Sequence, residues 1–334
     1  MLKTCQQMLM NAEMIVETGC RLHFGLLSTD PAHDRSFGGL GVMLESPGWS
    51  IHFAAAAQDS DSVVADGETQ ARIQRLLALL RVNEPFAGQP PLAVTVRRPL
   101  AHHAGLGSGT QLAMAVVDGW ARFLGLTLAN DEVFRLSRRG ARSSIGQFGY
   151  FSGGFLVDAG HNRPTDQAVH KRDSIVVRMD FPEQWNWWLI SPQNSTGLSG
   201  EAELKAFREM SPIPQAMTDR LAALTLLSIL PGLKSRNFGE FATGLHEYGR
   251  LVGEHFAAVQ GSVFSSPLMG DLAKHLMGAG LPCVVQSSWG PTVAVPVTTE
   301  IEEEFEAAWK KWPPHERCDR LRTKAMNRRA VIRR

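Results

Sequence analysis

The stretch Pro99-Leu100-Ala101-His102-His103-Ala104-Gly105-Leu106-Gly107-Ser108-Gly109-Thr110-Gln111 decides the fold, because three closely spaced glycines join a strand pattern to a helix pattern. Upstream, residues 92–96 alternate large apolar with small or polar side chains, which predicts a strand. Downstream, apolar residues recur at helical spacing, which predicts a helix beginning near residue 108. The apolar stripe of that helix consists of Leu112, Val116, Trp120, Phe123 and Leu124.

The glycine-rich loop, residues 105–109, has the chemistry of an anion site. Glycines allow tight turns and let a ligand approach the backbone closely. The free N–H groups and the dipole at the start of the following helix favour a phosphate, and Ser108 and Thr110 add hydroxyl donors. The loop is not a Walker loop, and Gly-Leu-Gly-Ser-Gly does not match the dinucleotide-binding pattern. We therefore predict a phosphate site, with an ordinary strand-to-helix turn as the alternative interpretation.

Composition limits the classes of protein that this chain can belong to. Its 334 residues suit two domains, and 44% hydrophobic with 20% charged residues is typical of a globular protein. A net charge of +1 provides no overall field for attracting nucleic acid, so no nucleic-acid partner is expected. No run approaches the length of apolar sequence that spans a membrane, so no membrane partner is expected either.

The four cysteines, Cys5, Cys20, Cys283 and Cys318, form no CxxC pair and no visible disulfide framework. A reducing, cytoplasmic location is therefore expected.

The order of predicted elements indicates an α+β fold, because strands and helices are mixed without strict alternation. We predict a first domain over residues 14–180, which carries the glycine-rich loop, and a second domain over residues 181–318. A short basic helix is predicted over residues 131–142. Residues 319–334 contain seven basic residues and one acid, and we interpret them as a solvated basic tail that could touch an anionic surface.

Further segments resemble one family. The loop, with Pro99 upstream, resembles the second motif of the GHMP kinases, and more closely that of the beta-ribofuranosylaminobenzene 5'-phosphate synthases, a non-kinase branch of that superfamily. The resemblance runs from about residue 16 to about residue 310. It implies a two-domain GHMP-kinase-like fold, with an N-terminal domain like ribosomal protein S5 domain 2 and a ferredoxin-like C-terminal domain. The other segments that carry it are residues 21–26, 142–146, 153–160, 185–192 and 287–292, together with Gly197, Gly200 and Glu201.

The resemblance implies a reaction. Enzymes of this family join phosphoribosyl pyrophosphate to 4-aminobenzoate or 4-hydroxybenzoate, release CO2 and pyrophosphate, and form a C-riboside on the way to tetrahydromethanopterin. It also implies Mg²⁺ on the pyrophosphate, no organic cofactor, small-molecule substrates as the partners, and a homodimer. The sequence leaves open which of the two acids is used.

Two other functions compete with this one. The first is an ATP-dependent small-molecule kinase of the same fold. GHMP kinases carry a catalytic aspartate just before a double glycine, whereas residues 143–149 here contain no carboxylate, which argues against that activity. The second is a non-catalytic module that binds a nucleotide or nucleic acid through the basic tail.

Three residues are candidates for the chemistry itself. His23 and His103 fall in the motif segments and could handle protons, because imidazole titrates near neutral pH. Asp158 ends an apolar strand after the double glycine and could orient Mg²⁺ or a ribose hydroxyl. A buried histidine and a strand-end cap are the alternative interpretations.

Arginines in the motif segments suit bidentate contact with phosphate, and Arg139 joins them as a candidate beside the loop. Trp185, Trp187 and Trp188 are interpreted as sheet core, with stacking on an aromatic acid as the alternative. The predicted substrate- and phosphate-binding residues are Arg21, Gly105, Leu106, Gly107, Ser108, Gly109, Thr110, Gln111, Arg142, Ser287, Ser288, Gly290 and Thr292.

Overall fold

The fold combines three main sheets with helices, and the prediction of an α+β fold is confirmed. A computed structural model describes residues 12–30, 32–140, 142–162, 174–195, 197, 205–206 and 208–334. The strands are β1 Glu13–Glu17, β2 Cys20–His23, β3 Arg35–Ser36, β4 Gly39–Leu44, β5 Ser50–Ala55, β6 Ser62–Val64, β7 Leu92–Arg98, β8 Phe155–Asp158, β9 His161–Asn162, β10 Ile175–Met179, β11 Asn186–Pro192, β12 Val285–Gln286, β13 Val293–Val297, β14 Cys318–Lys324 and β15 Val331–Arg333. The α-helices are α1 Gly67–Arg81, α2 Ser108–Phe123, α3 Asn130–Ser137, α4 Ile145–Ser152, α5 Gln215–Leu224, α6 Leu230–Ser235, α7 Phe238–Gln260, α8 Pro267–Gly278 and α9 Thr299–Lys311.

Two sheets are built mainly from strands of the first half, and helix α2 packs on one of them while helix α4 packs on the other. One has the strand order β15-β1-β5-β7-β6 and the other the order β10-β8-β4-β2. Helix α2 packs closely on β5, since a Cβ atom at Gly119 would lie 2.4 Å from the ring of Phe53. Leu112, Val116, Trp120 and Phe123 of the predicted apolar stripe are buried, with Trp120 inaccessible to solvent, whereas Leu124 is partly buried and follows the end of the helix.

The second half is built on a four-stranded antiparallel sheet with the order β12-β13-β11-β14. Helices α8 and α9 pack against this sheet around a separate cluster of buried apolar residues, which includes Leu272, Val295 and Phe305. Trp185 and Trp187 are buried in the main core against Phe241, consistent with their interpretation as core residues.

Residues 319–334 do not form the solvated tail that the sequence predicts. Strand β14 pairs along its whole length with β11, and β15 pairs with β1 of the first half. Arg320 lies 4.7 Å over the ring of Trp188, and Arg322 pairs with Glu302. The prediction is wrong because long basic side chains can cover apolar surface with their stems while their charged ends pair with acids.

The basic helix predicted over residues 131–142 is also shorter than expected. Helix α3 ends at Ser137 because Arg138 adopts a left-handed conformation with φ of 49°. The arginines that follow therefore belong to a loop rather than to a helical face.

A continuous helical run covers Gln215–Ser235. Within the part of the chain that the structure describes, it is the one helix whose length and composition alone would permit a membrane span. It contains charged residues, and Leu221, Ile229 and Leu233 on one face are buried in the protein core. The signal is weak, because a core helix passes the same test.

Candidate active site

The glycine-rich loop turns into helix α2 with two glycines in the left-handed region. Gly105 has φ of 77° and Gly107 has φ of 71°. A Cβ atom at Gly105 would lie 2.3 Å from the carbonyl oxygen of Ser287, and one at Gly107 would lie 2.7 Å from Cγ of Arg21. Both positions therefore require glycine for conformation and for space.

Strand β2 and a segment of the second half hold this loop from two sides. The amide of Arg21 donates to the carbonyl of Leu106 at 3.0 Å, and its Nη1 donates to the carbonyl of Gly105 at 3.2 Å. The hydroxyl of Ser287 donates to the same carbonyl at 2.7 Å and accepts the amide of His23 at 3.1 Å. The loop, the strand and the second half thus meet at one point.

A cavity of about 600 Å³ lies over the glycine-rich loop, and we call it the outer cavity. No carboxylate among the described residues lines it. Guanidinium groups gathered above a helix N-terminus make a site for a polyanion. Its arginines are Arg21, Arg72, Arg75, Arg138, Arg139 and Arg142.

A second cavity of about 260 Å³ adjoins the first, and we call it the inner cavity. The two share Arg21, Thr110, Arg138, Arg139, Arg142, Ser288 and Trp289 as lining residues. The ring of Trp289 meets that of Phe256 edge to face, with centroids 4.8 Å apart. Apolar walls of this kind suit an aromatic ring. The residues that line the inner cavity alone include His23, Phe24, Leu26, Val252, Phe256, Gln260, Val263 and Gln286.

His23 is the titratable group of the inner cavity with the most perturbed environment. Its side chain is 5% exposed, and Nε2 has no hydrogen-bond partner. Burial lowers the pKa of His23 well below 6.5, and the positive charges of Arg21 and Arg142 lower it further. The imidazole is therefore neutral at physiological pH, and one of its ring nitrogens carries no proton.

His103 lies at the rim of the outer cavity. Its Nε2 is 3.1 Å from Oε1 of Glu68 and 3.3 Å from Nη2 of Arg72. The adjacent His102 instead contacts Thr69 and lines neither cavity. His23 and His103 consequently lie in different cavities and do not form one catalytic pair.

Asp158 lies outside both cavities. Its carboxylate is buried, and it accepts the amide of Ser144 at 2.7 Å and the amide of Gly160 at 2.9 Å. These bonds hold the start of helix α4 and the turn after β8. The geometry supports a structural role and gives no support to the predicted contact with Mg²⁺ or ribose.

We expect Asp158→Ala to lower the free energy of unfolding by roughly 3 kcal/mol, because two buried amides lose a charged acceptor. Urea unfolding would measure this change. Asp180→Ala, which removes an exposed carboxylate, is the matched control and should change stability by less than about 1 kcal/mol. Unchanged stability of Asp158→Ala together with lost activity would instead favour a role in the reaction.

The other predicted binding residues divide into two groups. Gly105 through Thr110, Arg142, Ser288 and Gly290 line the outer cavity. Gln111, Ser287 and Thr292 do not line either cavity. Gln111 donates to the carbonyl of Gly146 at 2.7 Å, and the carbonyl of Thr292 accepts the amide of Ser287 at 3.0 Å. These three residues therefore stabilise the backbone around the site without lining either cavity.

The sequence did not predict several of the residues that line the two cavities. Arg72 and Arg75 lie on helix α1, where a charged residue resembles an ordinary solvated face. Phe256 lies on helix α7 at apolar spacing, and such a pattern predicts core. Trp289, Phe24, Leu26 and Ser143 did give a signal, because they lie in segments that resemble the family.

Comparison with known proteins agrees with this geometry. The model of the GHMP kinases N terminal domain matches residues 72–154, which include the glycine-rich loop. A beta-ribofuranosylphenol 5'-phosphate synthase of Methanothermobacter thermautotrophicus is 28% identical over 292 residues, covering 84% of this chain and 88% of that protein. The protein of the same name from Archaeoglobus fulgidus is 29% identical over 287 residues, covering 83% of this chain and 86% of its own.

Solved structures show the fold. The mevalonate diphosphate decarboxylase of Enterococcus faecalis has a TM-score of 0.68 at 17% identity, covering 96% of this chain and 98% of that chain. A homoserine kinase of Cytophaga hutchinsonii has a TM-score of 0.64 at 15% identity, covering 97% of this chain and 98% of that chain. The resemblance predicted from the motifs is thus confirmed: the chain has the GHMP kinase fold and is similar over most of its length to the beta-ribofuranosylphenol 5'-phosphate synthases.

Proposed function

We propose that this protein condenses phosphoribosyl pyrophosphate with 4-hydroxybenzoate or 4-aminobenzoate, with loss of CO2 and pyrophosphate. The observation that carries the proposal is that an arginine-lined cavity over the glycine-rich loop adjoins a cavity that has additional aromatic and aliphatic walls. Six arginines line the outer cavity, whereas the inner cavity shares four of them and adds aromatic and aliphatic side chains with a neutral histidine. The similarity to synthases of this name supports it, and the word phenol in that name favours the hydroxyl-bearing acid.

The two proposed substrates bind in different cavities, the phosphates in the outer cavity and the benzoate ring in the inner cavity. The phosphates of phosphoribosyl pyrophosphate suit the arginines and the helix N-terminus of the outer cavity. The benzoate ring suits the apolar side chains that line the inner cavity alone, between Phe256 and the residues of strand β2. Carbon 1 of the ribose then lies at the boundary, facing the carboxyl-bearing carbon of the ring. The substituent at position 4 points away from the boundary, toward the part of the inner cavity where His23 lies.

His23 acts as the base in this scheme. Its neutral imidazole accepts the proton of the 4-hydroxyl, and the electron pair moves through the ring to the carboxyl-bearing carbon. That carbon forms a bond to carbon 1 of the ribose as the bond to pyrophosphate breaks, and pyrophosphate leaves with the electron pair. The bond to the carboxylate then breaks, CO2 leaves, and its electron pair restores the aromatic ring. The imidazolium finally returns its proton to the phenolate oxygen.

Magnesium enters the scheme with the substrate. No carboxylate among the described residues lines either cavity, and no group of three or more potential metal ligands lies together in that part of the chain. These residues do not fit a protein-held magnesium site, so no step passes through one. We propose that Mg²⁺ is bound by pyrophosphate oxygens and water, that no organic cofactor takes part, and that the enzyme works in the cytoplasm as a homodimer.

The direct test uses purified protein, Mg²⁺, phosphoribosyl pyrophosphate and carboxyl-labelled 4-hydroxybenzoate or 4-aminobenzoate. We expect labelled CO2 only when both substrates are present, and the faster acid identifies the substrate. Consumption of ATP with sugars or alcohols, and no CO2, would favour the kinase that the fold also permits. Release of CO2 without phosphoribosyl pyrophosphate would contradict the proposed reaction.

A further inference from the structure

Two guanidinium groups from different elements converge on the first turn of helix α2. A Cβ atom at Gly109 would lie 3.3 Å from Nη1 of Arg72 and 3.5 Å from both Nη1 and Nη2 of Arg139. Arg72 comes from helix α1, and Arg139 comes from the loop after α3. The start of helix α2 also carries the positive end of the helix dipole. Two guanidinium groups and a helix N-terminus therefore lie close to one another.

The arrangement places like charges side by side. Arg139 is accessible at the mouth of the cavity, yet the surrounding walls partly desolvate it, and this lowers its pKa from the usual value. The charge of Arg72 lowers the pKa of Arg139 further. An anion held between the two groups would gain charge-assisted hydrogen bonds from both guanidiniums.

Glu68 fixes the direction of Arg72. Its Oε1 accepts Nη2 of Arg72 at 2.6 Å, one helical turn earlier on α1. The other terminal nitrogen, Nη1, is the atom that faces Gly109. The carboxylate of Glu68 thus holds Nη2 of Arg72 and leaves Nη1 directed at the start of helix α2.

The position of the pair identifies which phosphate it would bind. Arg139 lines both cavities, whereas Arg72 lines the outer cavity alone. An anion between them lies just on the outer side of the boundary. In the proposed reaction the bond that breaks joins carbon 1 of the ribose to pyrophosphate, and that carbon must face the ring. Pyrophosphate is therefore the group nearest the boundary, and the 5'-phosphate lies at the other end of the sugar.

We propose that Arg72 and Arg139 form the subsite for the leaving pyrophosphate over Gly109, with Glu68 as the positioning residue for Arg72. The identity of the anion rests on the proposed function, whereas the location of an anion site rests on the geometry of the pair.

Isothermal titration of the full-length protein with inorganic pyrophosphate tests this subsite. We expect Arg72→Met and Arg139→Met each to raise the Kd for pyrophosphate roughly 10- to 100-fold, because each removes charged hydrogen-bond donors. Arg72→Lys keeps the positive charge but loses the planar guanidinium that can contact phosphate through two nitrogens. Its Kd for pyrophosphate should therefore lie between those of the parent and of Arg72→Met. Arg135→Met removes an exposed arginine of helix α3 outside both cavities and should change the Kd less than about twofold.

Ribose 5-phosphate serves as the second ligand. Its Kd should change less than about threefold in the methionine variants, because the 5'-phosphate binds elsewhere in the outer cavity. An unchanged pyrophosphate Kd in both variants, equal losses for both ligands, or a parent protein that does not bind pyrophosphate would each overturn the proposal. Variants whose melting temperature matches the parent exclude misfolding as the cause.

The same experiments separate this subsite from the proposed function. Pyrophosphate binding that depends on Arg72 and Arg139, without release of CO2 from any aromatic acid, would keep the subsite and reject the synthase. Release of CO2 with pyrophosphate binding that is insensitive to both arginines would keep the synthase and reject the subsite.

Discussion

Gly107→Val is expected to weaken binding of phosphoribosyl pyrophosphate roughly 100-fold or more, while the protein remains folded. Gly107 has φ of 71°, a conformation that a β-branched residue strongly disfavours. The new side chain would also meet Cγ of Arg21 at 2.7 Å and push that arginine from its place beside the loop. The loop would lose its shape, and the site would lose one of its cations. Equilibrium binding measured by calorimetry checks the result.

Gly125→Val is the matched control for this substitution. Gly125 has φ of 78°, and nothing lies within 4 Å of the Cβ atom that it would acquire. The two variants therefore carry similar backbone strain, but only Gly107→Val changes the glycine-rich loop. Unchanged substrate affinity in Gly107→Val would show that the phosphates bind elsewhere. An equal loss in Gly125→Val would show that general strain is the cause.

His23→Asn is expected to lower kcat with 4-hydroxybenzoate by roughly 10²- to 10⁴-fold and to change KM much less. Asparagine keeps a polar side chain of similar width but accepts no proton at neutral pH. A fluorine next to the hydroxyl makes the phenol more acidic, so 3-fluoro-4-hydroxybenzoate should recover part of the lost rate. His315→Asn, in the turn after helix α9 and outside both cavities, should keep the parent kcat.

The pH dependence provides an independent readout of the same role. Because the pKa of His23 is well below 6.5, the base is neutral, and the parent rate should not fall as pH decreases from 8 to about 6.5. Its acid limb should appear below that range, where the imidazole becomes protonated. The His23→Asn rate should instead rise with pH as water ionises more of the phenol. A variant with the parent kcat and pH profile would remove His23 from the chemistry.

The sequence alone predicts the glycine-rich loop and its helix well, because local rules decide both. Glycine at residues 105 and 107 reflects a backbone requirement, and the apolar stripe from Leu112 onward reflects the packing of one helical face. Motif resemblance also leads to His23 and Arg142, which the fold brings to one cavity.

The remaining site residues depend on tertiary geometry that no local pattern encodes. Arg72 becomes part of the site only because helix α1 packs beside the loop. Phe256 does so only because helix α7 packs beside the segment after strand β2, where Tyr248 donates to the carbonyl of Gly25. Asp158 illustrates the converse. Its position after a double glycine resembles a catalytic motif, yet both carboxylate oxygens accept backbone amides. The basic composition of residues 319–334 predicts a solvated tail, but the arginines of β14 lie in a paired strand. Their stems cover apolar surface while their ends stay polar.

The proposed reaction makes a carbon–carbon bond between ribose and an aromatic ring. The most direct measurement uses phosphoribosyl pyrophosphate labelled with ¹³C at carbon 1 of the ribose and 4-hydroxybenzoate labelled with ¹³C at the carboxyl-bearing ring carbon. We predict a product whose two labelled carbons show one-bond ¹³C–¹³C coupling in the NMR spectrum, with one CO2 and one pyrophosphate released per product. A product that retains its carboxylate and shows no such coupling, as an O-riboside would, contradicts the account.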